Sequence, residues 1–356
     1  MQMFKSIVGF SVFFCSALFA ISPEAKAADF LMIPDSQSDR VLLFDPVDGS
    51  LVNDNFIDGT GLFTTPLNAI QVNKEIWVSD QVADSIFRFD LKGNYKSAIT
   101  GGLDNIRGME FVDNKIYVSN SGTENNAPGE AVVTFDMSGN NLGSFATGDP
   151  YDVLSYNGGL LVNDINRDSD GGEDIDRYSL DGNFIGNFHD SDGVNGIDFP
   201  QQMAVKSNGN LIVGGFSAPG GIYEYDENGN QVGFFNGDNG VAFRGIRGVY
   251  ELANGNVLWT GGDGVVSTNL DTGEFTDIFT VNTPDLLPEA DYRPSARYIE
   301  KVSISDKPAK VPEPGTILAS LLLGVFGVVG KLKGIGNSGN CGLGVSPSRA
   351  NFQERE

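Results

Sequence analysis

The chain has 356 residues, a net charge of −24 and two cysteines, Cys15 and Cys341. Such an acid excess repels nucleic acid and anionic lipid, so neither is an expected partner. With no cysteine between residues 28 and 311, small disulfide-stapled scaffolds and cysteine-ligated metals are excluded, although a region this long buries enough apolar surface without staples.

The first element is a targeting segment. Lys5 precedes an apolar run from Ile7 to Ile21, and Ala25-Lys26-Ala27 supplies the small-x-small pattern cut by a signal peptidase. The run is short of the roughly 20 residues that span a bilayer, so residues 1–27 are expected to be removed. Val12-Phe13-Phe14 ahead of Cys15 lacks the small residue that lipoprotein processing requires. Export is the expectation.

The 46 glycines of the chain and many Asn and Asp residues, with little helical periodicity after Ala28, point to short strands and tight turns. A four-strand unit recurs about every 45 residues. Its clearest copies run from Ala69 to Ser97 (IQVNKEIWVSD, SIFRFDLKGNYK) and from Met109 to Phe145 (EFVDNKIYVSN, AVVTFDMSGNNLGSF). Further copies span Val153 to Phe188, Met203 to Phe235 and Val249 to Phe279. Asp45, Asp90, Asp136, Ser179, Asp226 and Asn269 hold one register position before a glycine-containing hairpin turn. This period and strand count are those of propeller blades.

The first copy, Phe30 to Ile57, holds three strands, and a lone strand, Ala296 to Ile304, follows the last full unit. Pairing the two closes the ring and removes a free sheet edge. The fold expected for 28–305 is therefore all-β, a six-bladed β-propeller with a composite closing blade. With Asn-Gly turns and inner strands that open on Pro or Ile, the repeat resembles the NHL-like and gluconolactonase-like six-bladed propellers. That resemblance implies the fold; functions differ among such propellers.

Candidate chemistry lies on the face where inter-blade loops open. Aligning Pro66, Ile106, Pro150, Pro200 and Ile246 places Arg107 and Arg247 in one slot of blades that face each other across the ring. With Tyr151, Asp152, Gln201 and Gln202 in neighbouring slots, the two guanidiniums can converge on an anionic group, or simply offset nearby carboxylates. The fourth blade carries a loop from Asp164 to Asp174 in which alternate oxygens and a turn glycine can wrap a hard cation. It resembles the short calcium loops of integrin-type propeller repeats, which implies Ca2+ ligation by Asn166, Asp168, Asp170, Asp174 and the carbonyl of Gly172. The same residues also suit a solvated Asx-rich hairpin. His189 is the single histidine, which excludes a His-rich zinc site and is expected in a surface loop.

The last elements are a linker, 306–316, an apolar run within 317–330 and a polar tail, 331–356. Pro312-Glu313-Pro314, the run from Ile317 to Val329 and the basic flank of Lys331 and Lys333 resemble a PEP-CTERM sorting signal. The resemblance implies a transient membrane helix, an exosortase-type processing enzyme as partner, and delivery to the envelope or matrix of a bacterium that makes exopolysaccharide. The expected function is a surface or matrix binding module for an extracellular polysaccharide or surface protein. A secreted calcium-dependent hydrolase of the lactonase class is the alternative, and it would need a cage of Asp, Asn and Glu in the central channel.

Overall fold

A computed structural model describes residues 27–166, 172–192, 196–217, 219–236, 245–261, 264–279 and 296–304. These form six four-stranded antiparallel sheets. Blade 1 pairs Glu300–Ile304 with Ala28–Asp35, followed by Arg40–Phe44 and Leu51–Asp58. In its register Met32 faces Glu300 and Ala28 faces Ile304, and an isolated bridge joins Asp35 to Ala296. The composite closure expected from the repeat is therefore present.

The inner strands of blades 2 to 6 are Pro66–Val72, Ile106–Val112, Pro150–Tyr156, Pro200–Val205 and Val249–Glu251. Alternation along each second strand sends successive side chains toward opposite neighbours. Ile76 and Val78 pack against blade 1 with Met32 and Leu43, whereas Trp77 packs against blade 3 with Met109 and Val118. The core is thus a set of wedges between blades. The last wedge joins Leu252, Leu258 and Val265 of blade 6 to Leu31, Ile33 and Phe44 of blade 1, which closes the ring.

Tight turns at the strand ends explain the Asn and Gly content. Asp113-Asn114 and Asn157-Gly158 place two successive residues at positive φ, as the type I′ hairpin requires. On the outer hairpins Asp90, Asp136 and Asp226 each accept two backbone N–H groups and an Asn side-chain amide. Those bonds hold the carboxyls below their usual pKa, the Asn side-chain bond leading at Asp136 and Asp226.

The inner strands share one irregularity that matters for function. Between the first residue and the third or fourth of blades 2 to 5 the register shifts, at Pro66/Asn68, Ile106/Met109, Pro150/Val153 and Pro200/Met203. Bulges of this kind release residues from the ladder and re-aim their side chains. The freed carbonyls are caught by the preceding blade. Ser79 Oγ donates to Arg107 O at 2.7 Å, Asn163 Nδ2 to Gln201 O at 2.6 Å, and Thr260 Oγ1 to Arg297 O at 2.7 Å.

Gln202 ties three blades together. Its Oε1 accepts the N–H groups of Val249 and Ile299, and its Nε2 donates to Ile299 O and Glu300 Oε1. Gln202→Leu leaves Val249 N–H, Ile299 N–H and Ile299 O without this partner and Glu300 with Asn68 alone, each lost bond worth about 1–3 kcal/mol. Chemical denaturation should show a loss of several kcal/mol with the secondary structure retained; an unchanged midpoint would contradict the role given to this side chain.

Candidate functional site

The bulges of blades 2 to 5 free Leu67, Arg107, Tyr151 and Gln201 at the mouth of the ring, and Arg247 and Arg297 hold the equivalent positions in blades 6 and 1. Arg297 belongs in the set because Ala296 bridges Asp35 as the opening residues of the other inner strands bridge theirs. Arg107 and Arg247 thus occupy equivalent positions, joined by a third arginine absent from the five-strand alignment.

The environments of the three guanidiniums differ. Arg107 is buried, lies 4.1 Å over the Tyr151 ring, and donates through one terminal nitrogen to Asp149 at 2.7 Å and to Pro150 O at 3.0 Å. Arg247 lies 4.6 Å over Phe216, and its Nε has no hydrogen-bond partner. Arg297 donates Nε to Ser36 Oγ at 2.8 Å. Burial and the nearby charge of Arg247 lower its pKa to about 10, so it stays cationic at neutral pH. Among the described residues, neither Arg247 nor Arg297 has a carboxylate within ion-pair distance. In so acidic a chain, two neighbouring uncompensated guanidiniums are a disposition toward an anion.

An aromatic array links the arginines. Tyr151 meets Phe199 edge-on at 5.2 Å between centroids, and Phe199 meets Phe216 at 5.5 Å. With Arg107 over Tyr151 and Arg247 over Phe216, a continuous Arg-Tyr-Phe-Phe-Arg stack runs along the rim. Phe199 holds φ at +53°, a region that costs a bulky residue on the order of 1–3 kcal/mol. A bond from its N–H to the Glu173 carboxylate and one from Phe216 N–H to its carbonyl fix it there. Leu67 and Tyr151 of the rim pack against Tyr298, which donates to Tyr151 O, and give the mouth an apolar floor.

Asp152 and Gln202 lie one residue deeper than the rim and are committed to the scaffold. Asp152 Oδ2 accepts Met203 N–H, and its carboxyl sits over Gly108, where a Cβ would approach Oδ1 to 2.2 Å. Gln201 is fully enclosed, with both amide atoms lacking a partner. Two further carboxyls reach the axis, Glu110 and Glu300; Glu300 accepts from Gln202 and Asn68. Burial raises Glu110 to about 7; burial reinforced by the charge of Glu110 raises Asp152 to about 8, and burial with the charges of Glu110 and Asp152 raises Glu300 well above the carboxyl range. Around neutrality the axis below the rim therefore holds acids that are wholly or partly protonated.

Of the proposed cation ligands, Asp168 and Asp170 lie outside the described residues. Asn166 is exposed, and its N–H donates to Asp164. Gly172 presses on the backbone of Ser191, where no side chain would fit. Asp174 accepts Ser191 N–H at 3.0 Å and Asn187 Nδ2 at 2.8 Å, so a bound ion would share a carboxylate already in use. No cluster of three His, Cys, Asp or Glu side chains suited to a metal occurs among the described residues. His189 corrects an expectation: it ends the strand Phe184–His189, half-buried 4.4 Å from the Tyr225 ring, rather than lying in a surface loop. Burial lowers its pKa. The sorting motif Pro312, Glu313 and Pro314 and the apolar run after it lie outside the described residues, among which no helix is long and apolar enough to cross a membrane.

The axial acids give the fold a pH dependence. A carboxyl whose pKa is raised on folding costs nothing below its unfolded value near 4. Above that value, each pH unit up to the folded pKa withdraws about 1.4 kcal/mol. Unfolding free energy should thus fall between pH 5 and pH 8, and Asp152→Asn, which mimics the protonated form, should flatten that fall. Equal slopes for the two proteins would show that Asp152 does not hold its proton.

Neither the profiles of known families nor the curated protein sequences match this chain. Among solved structures, a chain of a nidogen/laminin complex superimposes with a TM-score of 0.56 at 14% identity, over 77% of this chain and 98% of that one. A protein of unknown function from Bacteroides caccae gives 0.53 at 13%, with the same two coverages. A streptogramin B lyase overlaps more loosely, with a TM-score of 0.44 at 13% identity over 74% of this chain and 76% of the other. At such identities the likeness is one of fold, that of the six-bladed β-propeller.

Proposed function

We propose that this chain is an exported binding module, displayed at the cell surface or in the extracellular matrix, whose propeller mouth captures an anionic group on an extracellular partner. The observation that carries the reading is the Arg247 and Arg297 pair, cationic and without carboxylate partners among the described residues, over an apolar floor in a chain of net charge −24. Export and display rest on the leader, residues 1–27, and on the Pro312-Glu313-Pro314 tail with its exosortase-type reading. The hydrolase alternative needs acids converging on an ion in the channel. Glu110, Asp152 and Glu300 do reach the axis, but around neutrality they are wholly or partly protonated, and Asp152 and Glu300 bond Met203 N–H, Asn68 and Gln202, which favours binding over hydrolysis.

The test uses protein recovered from the medium, its mass checked for ends near Ala28 and the Pro-Glu-Pro motif. Biolayer interferometry should detect binding to carboxymethyl dextran and not to plain dextran. Arg247→Ala with Arg297→Ala should weaken it at least tenfold, since a charge-assisted hydrogen bond contributes about 1.5–3 kcal/mol. Equal binding by the double variant would overturn the assignment of the mouth.

Calcium is part of the same proposal, as a stabiliser of the loop from Asp164 to Asp174. An ion at 100 times its Kd adds about 2.7 kcal/mol to the folded state. Chelation should therefore lower the melting temperature by several degrees, and Asp168→Ala with Asp170→Ala should abolish that response. A melting temperature indifferent to chelator leaves the loop a solvated hairpin.

A further inference from the structure

The mouth combines features that a simple anion site does not need. Phe199 and Phe216 are half-buried, so part of each ring remains open beside the Arg247 guanidinium. Phe199 is held at positive φ by contacts from two other segments, and strain of this kind persists where the surroundings over-determine it, often at ligand sites. Inorganic anions only accept hydrogen bonds and have no apolar face. A ligand that suits the arginine pair and these rings carries a carboxylate and a flat apolar C–H face.

We infer that the mouth is a subsite for a hexuronate residue of an acidic polysaccharide. The carboxylate lies between Arg247 and Arg297, and the C–H face of the sugar rests on Phe199. This inference rests on the anion-binding reading of the mouth and names the ligand class for it. The charge of the chain sharpens the choice: at −24 it repels densely charged polymers, while a polysaccharide with one carboxylate per sugar incurs less repulsion per bound residue. Arg107, paired with Asp149, orients Tyr151 at the far end of the stack rather than binding the ligand.

The experiment is calorimetric titration of the full mature protein with a hexuronate trisaccharide, a neutral hexose trisaccharide and acetate. The uronate should bind at least tenfold more tightly than either control. Phe199→Leu should weaken it about five- to tenfold, the scale of one lost stacking contact. Phe199→Tyr, which keeps the ring, should restore the uronate affinity. Because replacing Phe199 can disturb its turn, saturation-transfer NMR on the unaltered protein gives a second reading. Irradiating the aromatic protons should label the ring C–H protons of one uronate face. A uronate bound no better than acetate, or labelled equally on both faces, overturns the inference while leaving the anion site standing. Failure to bind carboxymethyl dextran as well removes the anion-binding reading, and the inference with it.

Discussion

The geometry of the mouth depends on the bulges that open the inner strands of blades 2 to 5. A regular ladder would alternate side chains between the two neighbouring wedges and aim none at the axis. By dropping out of register after Pro66, Ile106, Pro150 and Pro200, the chain frees a carbonyl and re-aims the side chains beside it. The second strand of the preceding blade then takes that carbonyl through Ser79, Asn163 or Thr260. An otherwise unsatisfied group becomes an inter-blade fastening, and the rim residue is fixed in the same step. Stability and site geometry thus share one set of hydrogen bonds, which is why Gln202 and Asp152 serve the scaffold rather than the ligand.

The electrostatic arrangement follows from that geometry. Three carboxyls directed at a narrow axis cannot all ionise, because burial and mutual repulsion penalise the charged forms. In their protonated state they do not cancel the field of the arginines above them. The mouth can then be positive while the outer surface is strongly negative. Asp149 pairs with Arg107, whereas Arg247 and Arg297 have no carboxylate within ion-pair distance among the described residues.

Much of the scaffold was legible in the sequence because its determinants are local. Strand alternation, Asn-Gly turns and the recurring Asp before each outer hairpin repeat with one period, and a three-strand first copy demands a fourth strand from the other end. Arg107, Tyr151, Gln201 and Arg247 were legible through the Pro or Ile that opens each inner strand. Arg297 escaped because Ala296 holds that place in the closing blade. Phe199 and Phe216 sit in inter-strand loops without a repeated position, so only their contacts bring them to the rim. Glu110 and Glu300 look like ordinary polar strand residues, and their burial follows from ring closure. His189 was misplaced for the same reason: its partners, Gly229 and Tyr225, come from the next blade.

The central claim is that an acidic propeller concentrates anions at one place. Anomalous diffraction from crystals soaked in bromide addresses it without presupposing any biological ligand. The account predicts a peak between the Arg247 and Arg297 guanidiniums that disappears in Arg247→Ala crystals. Bromide scattered over the outer lysines, with none at the mouth, would contradict it.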